Sequence, residues 1–428
     1  MKKKLFFTAC LRKRHLLAFS FMVQVMAVMA QGVAQWRGPD RSGNFPENGL
    51  LKEWPAEGPV LLWSVSGIGE GYSSPVCDGK AVYVTGMKND SDYLTAISDK
   101  GNIIRQVSYG STLSETHPGS RCTPAVDADN IYVLSEGGAI SCIGVKDGMI
   151  KWSLDAQKEF KPSYSAHGIC ESLLVSEDNV FYTPCGPKTT LVALDKNTGE
   201  TRWATESLND VSAYVSPLLI KYADKQIIVT LTSEHLLGID AENGKFLWFI
   251  DHSKLFIGTR WYAASNAITP LFSDSCIYIT GGYNQGGAKF SLNKDASAID
   301  LVWTDSVLDC HIGGVVLVDG YIYGSNWINN RKGDWCCLDW KTGKSMYVHT
   351  WFTKGSIIAA GGMLYCLEEK TGNLGLVRPD PNKFDLVSSL KIPLGKGPFW
   401  AHPTIRNGIL YIRHGDVLMA YDLRRMIN

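Results

Sequence analysis

Aromatic and basic side chains recur in this chain next to short segments of small residues and proline. Tyr72, Arg121 and Tyr214 each stand one residue before such a segment, as with the Ser-Ser-Pro of residues 73–75. Aromatic rings stack on flat ligand faces, while His, Arg and Lys make charge-assisted hydrogen bonds. A site built from them suits an anionic, sugar-like or quinone ligand. The candidate binding residues are Tyr72, Arg121, His167, Tyr214, Trp261, His311, Lys354, Trp400 and His402.

No local motif in the sequence carries a catalytic mechanism by itself. The chain contains no Cys-x-x-Cys-His haem attachment site, HExxH helix, Walker A loop, GxSxG elbow or Cys-x-x-Cys pair. The candidate residues are also far apart along the chain. Any shared chemistry therefore depends on the fold that brings them together.

A repeat of about 45 residues predicts the elements that position these side chains. In each strong copy a turn glycine lies four residues before a tryptophan, as at Gly148 and Trp152. Each copy reads as four short strands, which is the pattern of a propeller blade. The other strong copies are Gly199 with Trp203 and Gly244 with Trp248, and the weaker ones are Gly101 with Arg105, Gly343 with Tyr347 and Gly372 with Leu376.

Counting the segments that open each unit gives eight blades, which start near residues 72, 121, 167, 214, 266, 311, 354 and 399. The last blade lacks a fourth strand, and the strand at residues 61–65 can supply it and so remove a free edge. We predict an all-β fold, an eight-bladed β-propeller of four-stranded antiparallel blades closed by the amino-terminal strand. The candidate residues then meet at one channel mouth, where they either bind a ligand or only plug or line a water-filled channel.

The first 30 residues read as a cleavable signal peptide. They carry six of the 42 basic residues, followed by an apolar run at residues 16–30 that ends in a small-residue site. That run is shorter than the roughly 20 residues needed to span a bilayer, so export outweighs the alternative of an uncleaved anchor. We predict a periplasmic or secreted chain whose residues 31–428 form a single propeller domain without a membrane span.

Removing the signal leaves 36 basic against 42 acidic residues, a net charge of −6. This mildly acidic chain has no basic run, whereas binding to a phosphate backbone needs a basic surface. The composition therefore argues against a nucleic-acid partner. The classes of partner that remain are a protein, a glycan and a small-molecule ligand.

Residues 195–203 (DKNTGETRW) resemble the repeat signature of the pyrroloquinoline-quinone-like (PQQ-like) repeat β-propeller family. Residues 35–43 (QWRGPDRSG) are similar to a secreted bacterial branch of that family. The resemblance covers residues 36–428 and is specific for the fold. The family includes quinoprotein alcohol dehydrogenases and also cofactor-free relatives such as the outer-membrane assembly propeller, so the resemblance does not fix the function.

The dehydrogenases resembled here use a disulfide between adjacent cysteines over the quinone, a tryptophan beneath it, and Glu, Asn and Asp near calcium. The resemblance firmly implies no cofactor, but it is compatible with PQQ and calcium and with a vicinal disulfide between Cys336 and Cys337. The position of Cys337 favours packing instead. The residue six positions before each turn glycine is small, and a cysteine in such a column acts as a small hydrophobe. That column is Cys142, Ala193, Gly238, Cys337 and Cys366.

Taken together, the sequence favours an exported, non-catalytic binding or scaffold propeller that uses its channel mouth and loops to engage a ligand or a protein partner. The alternative is a PQQ-dependent oxidoreductase of the quinoprotein alcohol dehydrogenase type, with an external electron acceptor because the chain has no haem site. A hydrolase or lyase assembled from several blades ranks third.

Overall fold

The computed structural model describes residues 32–112, 117–255 and 266–425. The predicted signal peptide and the candidate residue Trp261 lie outside these residues. The described chain forms eight sheets that are arranged in a ring as propeller blades. Among the described residues, no helix is long and apolar enough to cross a membrane.

The strands follow one another along the chain in blade order, and two short strands precede the first complete blade. The leading strands are β1 (Asn44–Phe45) and β2 (Val60–Ser66). Blades 1 and 2 contain β3 (Val76–Cys77), β4 (Ala81–Lys88), β5 (Ser91–Ser98), β6 (Ile103–Ser111), β7 (Ala125–Asp127), β8 (Asn130–Leu134), β9 (Ala139–Gly144) and β10 (Ile150–Asp155). Blades 3 and 4 contain β11 (Leu174–Val175), β12 (Asn179–Tyr182), β13 (Val192–Asp195), β14 (Thr201–Ala204), β15 (Leu218–Tyr222), β16 (Lys225–Leu231), β17 (His235–Asp240) and β18 (Phe246–Asp251).

The remaining strands complete the ring. Blades 5 and 6 contain β19 (Leu271–Ser273), β20 (Cys276–Gly281), β21 (Gly286–Leu292), β22 (Ile299–Asp305), β23 (Val315–Val318), β24 (Tyr321–Ser325), β25 (Trp335–Asp339) and β26 (Ser345–His349). Blades 7 and 8 contain β27 (Gly355–Ala360), β28 (Met363–Glu368), β29 (Asn373–Arg378), β30 (Asp385–Lys391), β31 (Thr404–Arg406), β32 (Ile409–His414) and β33 (Val417–Asp422). Within the described residues the helices are short, α1 (Ala156–Phe160) and a 3₁₀ turn (His252–Lys254).

The predicted fold and its closure are confirmed. The strand order of the last blade is β2-β33-β32-β31, so the amino-terminal strand supplies the missing fourth strand. Trp63 on β2 pairs with Ala420 on β33 in antiparallel register. Both ends of the chain therefore close the ring and leave no unpaired blade edge at the junction.

The glycine and tryptophan repeat is a packing device between neighbouring blades. A Cβ atom built on Gly199 would lie 2.6 Å from the ring of Trp152, which belongs to the preceding blade. Gly244 meets Trp203 and Gly101 meets Trp63 in the same way. These turn glycines also have positive φ angles, +76° at Gly199, which favours a residue without a side chain. Each tryptophan thus closes the space over the turn of the next blade.

Blade 7 departs from the predicted repeat. Gly372 lies between β28 and β29, the second and third strands, and not between the third and fourth. Leu376 is therefore on the third strand, and Cys366 is on the second, opposite Gly375. The place of Cys366 in the column of small residues was wrong, because a glycine turn with the repeat's spacing also occurs at the opposite end of the blade.

The innermost ring explains the small residues and prolines that open the blades. The first strands of neighbouring blades contact one another, as β7 does with β11 and β23 with β27. Hydroxyl groups join these openings, because the Ser74 N–H donates to Thr123 Oγ1 and the Thr123 N–H donates to Ser172 Oγ. Ser172 N–H continues the chain to Ser216 Oγ at 2.9 Å. The buried openings are thus hydrogen-bonded from blade to blade around the channel.

Candidate functional site

Residues 34–45, called the plug, lie inside the ring of first strands. Ala34 pairs with Val126 of blade 2, and β1 adds in parallel to the first strand of blade 7. The chain turns tightly between these anchors, where the Gly43 N–H donates to the Arg37 carbonyl at 2.9 Å. A Cβ on Gly43 would lie 2.2 Å from the Arg37 guanidinium, so only glycine fits there. The amino-terminal segment therefore crosses the channel before it reaches β2.

Two buried arginines fasten the plug to opposite sides of the ring. Arg41 donates to the carbonyls of Ser172, Leu173 and Pro217 at 2.5–3.0 Å, in the openings of blades 3 and 4. Its Nε–H donates to Gln35 Oε1 at 3.0 Å. Burial lowers the pKa of Arg41 to about 9. Every guanidinium nitrogen of Arg41 therefore has an acceptor, as a charge taken out of water requires.

Arg37 makes the matching contacts with blades 6, 7 and 8. It donates to the carbonyls of Val315 and Ile357 at 2.6 and 3.1 Å, and to His402 Nδ1 at 2.9 Å. His402 Nε2 faces the Ile312 carbonyl at 2.9 Å, which fixes the tautomer with the proton on Nε2. Burial, and next the charge of Arg37, lowers the pKa of His402 to about 3. His402 is thus an anchor of the plug and is separate from the other candidate residues.

The channel mouth is the end of the ring that carries the connections between blades. In an antiparallel blade the hairpin between the second and third strands lies at this same end. Candidate residues such as Tyr72 and His311 are in the connections between blades, whereas Tyr283, Trp327 and Glu369 are in hairpins between second and third strands. The sequence argument found the first group and missed the second, although strand direction alone places both at one end.

Five rings from successive connections form a row along one side of the mouth, called the ring row. Tyr72 and Trp400 lie 4.8 Å apart between ring centroids, and Trp400 and His117 lie 5.1 Å apart. His167 follows at 5.9 Å from His117 and is again 5.9 Å from Tyr214. His117 and His167 are exposed, and the other three rings are half-buried. The row offers stacking surface contributed by several blades.

Arg121 supports the ring row from behind. It pairs with the buried Glu136 at 2.7 Å and donates to the carbonyls of His117 and His167 at 2.8 and 2.9 Å. Burial, and next the positive charge of Arg121, lowers the pKa of His167 below its ordinary value. Arg121 therefore positions the two histidines and neutralises Glu136.

A second group from blades 5 to 7 forms the polar wall of the mouth, composed of Tyr283, Gln285, His311, Lys354 and Glu369. His311 Nε2 lies 3.1 Å from the Tyr283 hydroxyl, and Lys354 Nζ pairs with Glu369 at 2.6 Å. Lys354 also donates to two backbone carbonyls, those of Asn329 and Asn330. Lys354 is 2 % exposed, which makes it a buried structural cation.

The polar wall contains buried polar atoms that the described residues leave without a hydrogen-bond partner. They are His311 Nδ1, Glu369 Oε2 and Gln285 Nε2. Burial raises the pKa of Glu369. Buried polar groups in proteins are nearly always paired, so each such atom needs an explanation. A ligand at the mouth supplies one.

The structure thus divides the candidate residues into three sets. Tyr72, His167, Tyr214 and Trp400 meet in the ring row, with Arg121 behind them. His311 and Lys354 belong to the polar wall, and His402 belongs to the plug. The neighbours at the mouth that sequence reasoning missed are His117, Glu136, Tyr283, Gln285, Trp327 and Glu369.

The cysteine pair does not form the vicinal disulfide with which the family resemblance is compatible. Cys336 and Cys337 are both free. They are successive residues of β25, so their side chains point to opposite faces, and each lies in a different hydrophobic cluster. Burial raises the pKa of the Cys337 thiol to about 12. Both cysteines pack as small hydrophobes, as the column of small residues favoured for Cys337.

The residues present do not fit PQQ with calcium. Within residues 32–112, 117–255 and 266–425, no group of three or more His, Cys, Asp or Glu side chains is placed to hold a metal ion. Carboxylates of the mouth already have other partners: Glu136 pairs with Arg121, Glu369 with Lys354, and Asp309 accepts from the Asn284 and Gly286 N–H groups at 2.7 and 2.8 Å. The vicinal disulfide is also missing.

Fold, repeat and mouth together define the class of protein, an eight-bladed β-propeller of PQQ-like repeats. The chain belongs to the family described as outer membrane protein assembly factor BamB, whose family model matches residues 91–348. No curated protein matches the chain.

Solved structures of two kinds share the fold. BamB from Moraxella catarrhalis is 14% identical with a TM-score of 0.62, and the alignment covers 85% of this chain and 99% of that one. A quinohemoprotein alcohol dehydrogenase from Pseudomonas putida is 11% identical with a TM-score of 0.65, over 91% and 79% of the two chains. Another from Comamonas testosteroni is 12% identical with a TM-score of 0.53, over 91% and 80%. At such low identity the likeness concerns the fold alone.

Proposed function

We propose that the protein is an exported, non-catalytic propeller that binds a ligand or a protein partner at its channel mouth. One observation carries this proposal: buried polar atoms of the polar wall lack partners among the described residues, and they lie at the same mouth as the ring row. Ligand sites typically combine aromatic surface with a few placed polar groups.

A binding role agrees better with the mouth than a catalytic one does. A general acid or base needs a titratable side chain with freedom to exchange protons with a substrate. Arg121, Lys354 and Glu136 are instead held in ion pairs, and Asp309 is held by backbone N–H groups. His311 has its pKa lowered to about 3 by burial, so it stays neutral over the ordinary pH range. The ion pairs and hydrogen bonds of these groups stabilise the conformation of the mouth.

Family and sequence support the location. The family is described as an outer membrane protein assembly factor, and residues 1–30 carry the composition of a signal peptide. A scaffold in the periplasm would accordingly present the channel mouth to a ligand or partner in the cell envelope. The plug gives this scaffold a rigid base, because its arginines bind blades on opposite sides of the ring.

The test is a thermal-shift screen of chemically diverse small ligands and peptides on wild-type protein, Trp400→Ala and Tyr214→Ala. A ligand that binds only the native state raises Tm by mass action. We expect at least one compound to raise the Tm of the wild type and to have a much smaller effect on both variants. Compounds that stabilise all three proteins equally would place the binding surface elsewhere.

A parallel measurement addresses the oxidoreductase alternative. PQQ and calcium are added to purified protein, and bound absorbance and alcohol-dependent dye reduction are recorded. We expect neither saturable binding nor dye reduction. Both together would replace the non-catalytic proposal with the quinoprotein one.

A further inference from the structure

The polar wall and the ring row are both at the channel mouth. Burial, and next the charges of Lys354 and His167, lowers the pKa of His311. His311 is in the polar wall, whereas His167 is in the ring row. A Cβ on Gly282 would lie 3.0 Å from His311, so the hairpin that carries Gln285 packs directly on this histidine. Because the connections between blades and the hairpins between second and third strands lie at one end of the ring, the polar wall and the ring row belong to the same mouth.

The buried atoms without partners comprise both acceptors and a donor, so a ligand that pairs with all of them must both donate and accept hydrogen bonds. Glu369 Oε2 is an acceptor on a side chain that is 9 % exposed. His311 is neutral and can accept at Nδ1 when Nε2 donates to the Tyr283 hydroxyl. Gln285 Nε2 is a donor. Hydroxyl groups satisfy both requirements at once, since each can donate and accept.

The paired charges of Arg121, Glu136, Lys354 and Glu369 disfavour an anion. Arg121 is paired with Glu136, and Lys354 is paired with Glu369. An anionic ligand would approach Glu369 Oε2, where it would meet a like charge in a buried position. Neither of these two described cations has charge left over to offset that repulsion. The ligand chemistry that remains is neutral and rich in hydroxyl groups, with faces that stack on aromatic rings.

We propose that the channel mouth binds a neutral carbohydrate, with one sugar face stacked on the ring row and its hydroxyl groups bonded to Gln285, His311 and Glu369. The proposal rests on the proposed function, because it names the ligand class of the same site. Glu369 accepts sugar hydroxyls at Oε2, His311 accepts at Nδ1, and Gln285 donates from Nε2.

Calorimetric titration with defined probes tests this assignment. The probes are neutral gluco-oligosaccharides and chito-oligosaccharides, a sulfated oligosaccharide, inorganic phosphate and PQQ. We expect a neutral oligosaccharide to bind to the wild-type chain, and Trp400→Ala to weaken that binding about tenfold or more. Phe249→Ala is the control, because Phe249 is a 51 % exposed aromatic residue on the outer strand β18.

A second variant guards against effects on folding. Gln285 Nε2 has no partner within the described protein, so Gln285→Met removes no internal hydrogen bond from that nitrogen. We expect this variant to keep the wild-type Tm and to bind the neutral oligosaccharide several-fold more weakly. A purely structural role for Gln285 would lower Tm and leave the affinity unchanged.

The outcomes separate the two proposals. Binding of sulfated oligosaccharide, phosphate or PQQ in preference to neutral sugars, with loss in Trp400→Ala, would overturn the carbohydrate assignment and keep the mouth as a binding site. Neutral sugar binding that Trp400→Ala and Gln285→Met leave unchanged would overturn the mouth as its site. Absence of binding by every neutral oligosaccharide would also overturn the carbohydrate assignment.

Discussion

The plug and the polar wall are both buried polar regions of one channel, yet they are completed in different ways. Each guanidinium nitrogen of Arg41 has an acceptor within the chain, and Arg37 bonds to three blades. In the polar wall, His311 Nδ1, Glu369 Oε2 and Gln285 Nε2 have no partner within the described residues. The hydrogen bonds of the plug are complete within the protein, whereas those of the polar wall are not. We therefore assign a structural role to the plug and a binding role to the polar wall.

This difference also explains which polar residues should tolerate change. Removing a donor from a satisfied buried network leaves its acceptors without partners, at about 1–3 kcal/mol for each group. Removing an atom that has no partner in the protein leaves no such group unpaired, so the free energy of unfolding should not fall for that reason. Stability should therefore be lost in the plug, whereas ligand affinity should be lost in the polar wall.

The largest effect is expected for Arg41→Met. The substitution keeps an apolar stem but removes the donors to the carbonyls of Ser172, Leu173 and Pro217. We expect a loss of about 3 kcal/mol or more in the free energy of unfolding, measured by urea denaturation. Arg202→Met is the control, since Arg202 pairs with Asp195 at the surface, where an ion pair contributes little to stability. Equal effects of the two substitutions would show that the plug is not a structural anchor.

An intermediate, pH-dependent effect is expected at His402. Its folded pKa of about 3 lies below the ordinary value of 6.5, so the unfolded chain binds more protons between these values. Stability from neutral His402 is thus present above pH 6.5 and is lost as the pH falls toward 3. Glutamine can accept from Arg37 and donate to the Ile312 carbonyl without titrating.

His402→Gln should consequently flatten the fall in Tm on acidification from pH 7 to pH 4. His311 is shifted in the same direction, to about 3, so part of the slope should remain. Melting curves at several pH values measure both. An acid slope identical to that of the wild type would mean that His402 is not held neutral against Arg37.

The smallest effect on stability is expected for Gln285→Met, whose change in the free energy of unfolding should lie within about 0.5 kcal/mol of zero. The reason is the lack of a partner for Gln285 Nε2 among the described residues. Urea denaturation beside Arg41→Met gives the comparison directly. A loss as large as that of Arg41→Met would make the polar wall a structural network like the plug.

The sequence predicted the ring and its closure because both depend on periodic features. Glycine turns before Trp152, Trp203 and Trp248 recur at one spacing, and the rings of Trp152 and Trp203 cover the turn of the next blade. The fourth strand missing from blade 8 could be found by counting strands. Blade 7 was misread locally, because the turn at Gly372 has the repeat's composition but joins different strands.

The plug and half of the mouth could not be predicted in this way. Residues 35–43 have no repeat, so their location in the channel depends on contacts with five separate blades. Glu369 stands in a Glu-Glu-Lys-Thr-Gly turn that resembles any solvated hairpin. His402 looked like Trp400 of the same blade opening, yet its ring bonds to Arg37 of the plug, a contact that the sequence pattern does not show.

Hydrogen exchange of backbone amides with and without a bound neutral oligosaccharide tests the central claim most directly. Exchange reports local opening, which a ligand suppresses where it binds. We predict new protection in peptides that contain Tyr72, Tyr214, the hairpin at residues 282–285 and Trp400, with none in the outer strands β2, β10 and β18. Protection confined to outer strands, or none at the mouth, would contradict the assignment of function to the channel mouth.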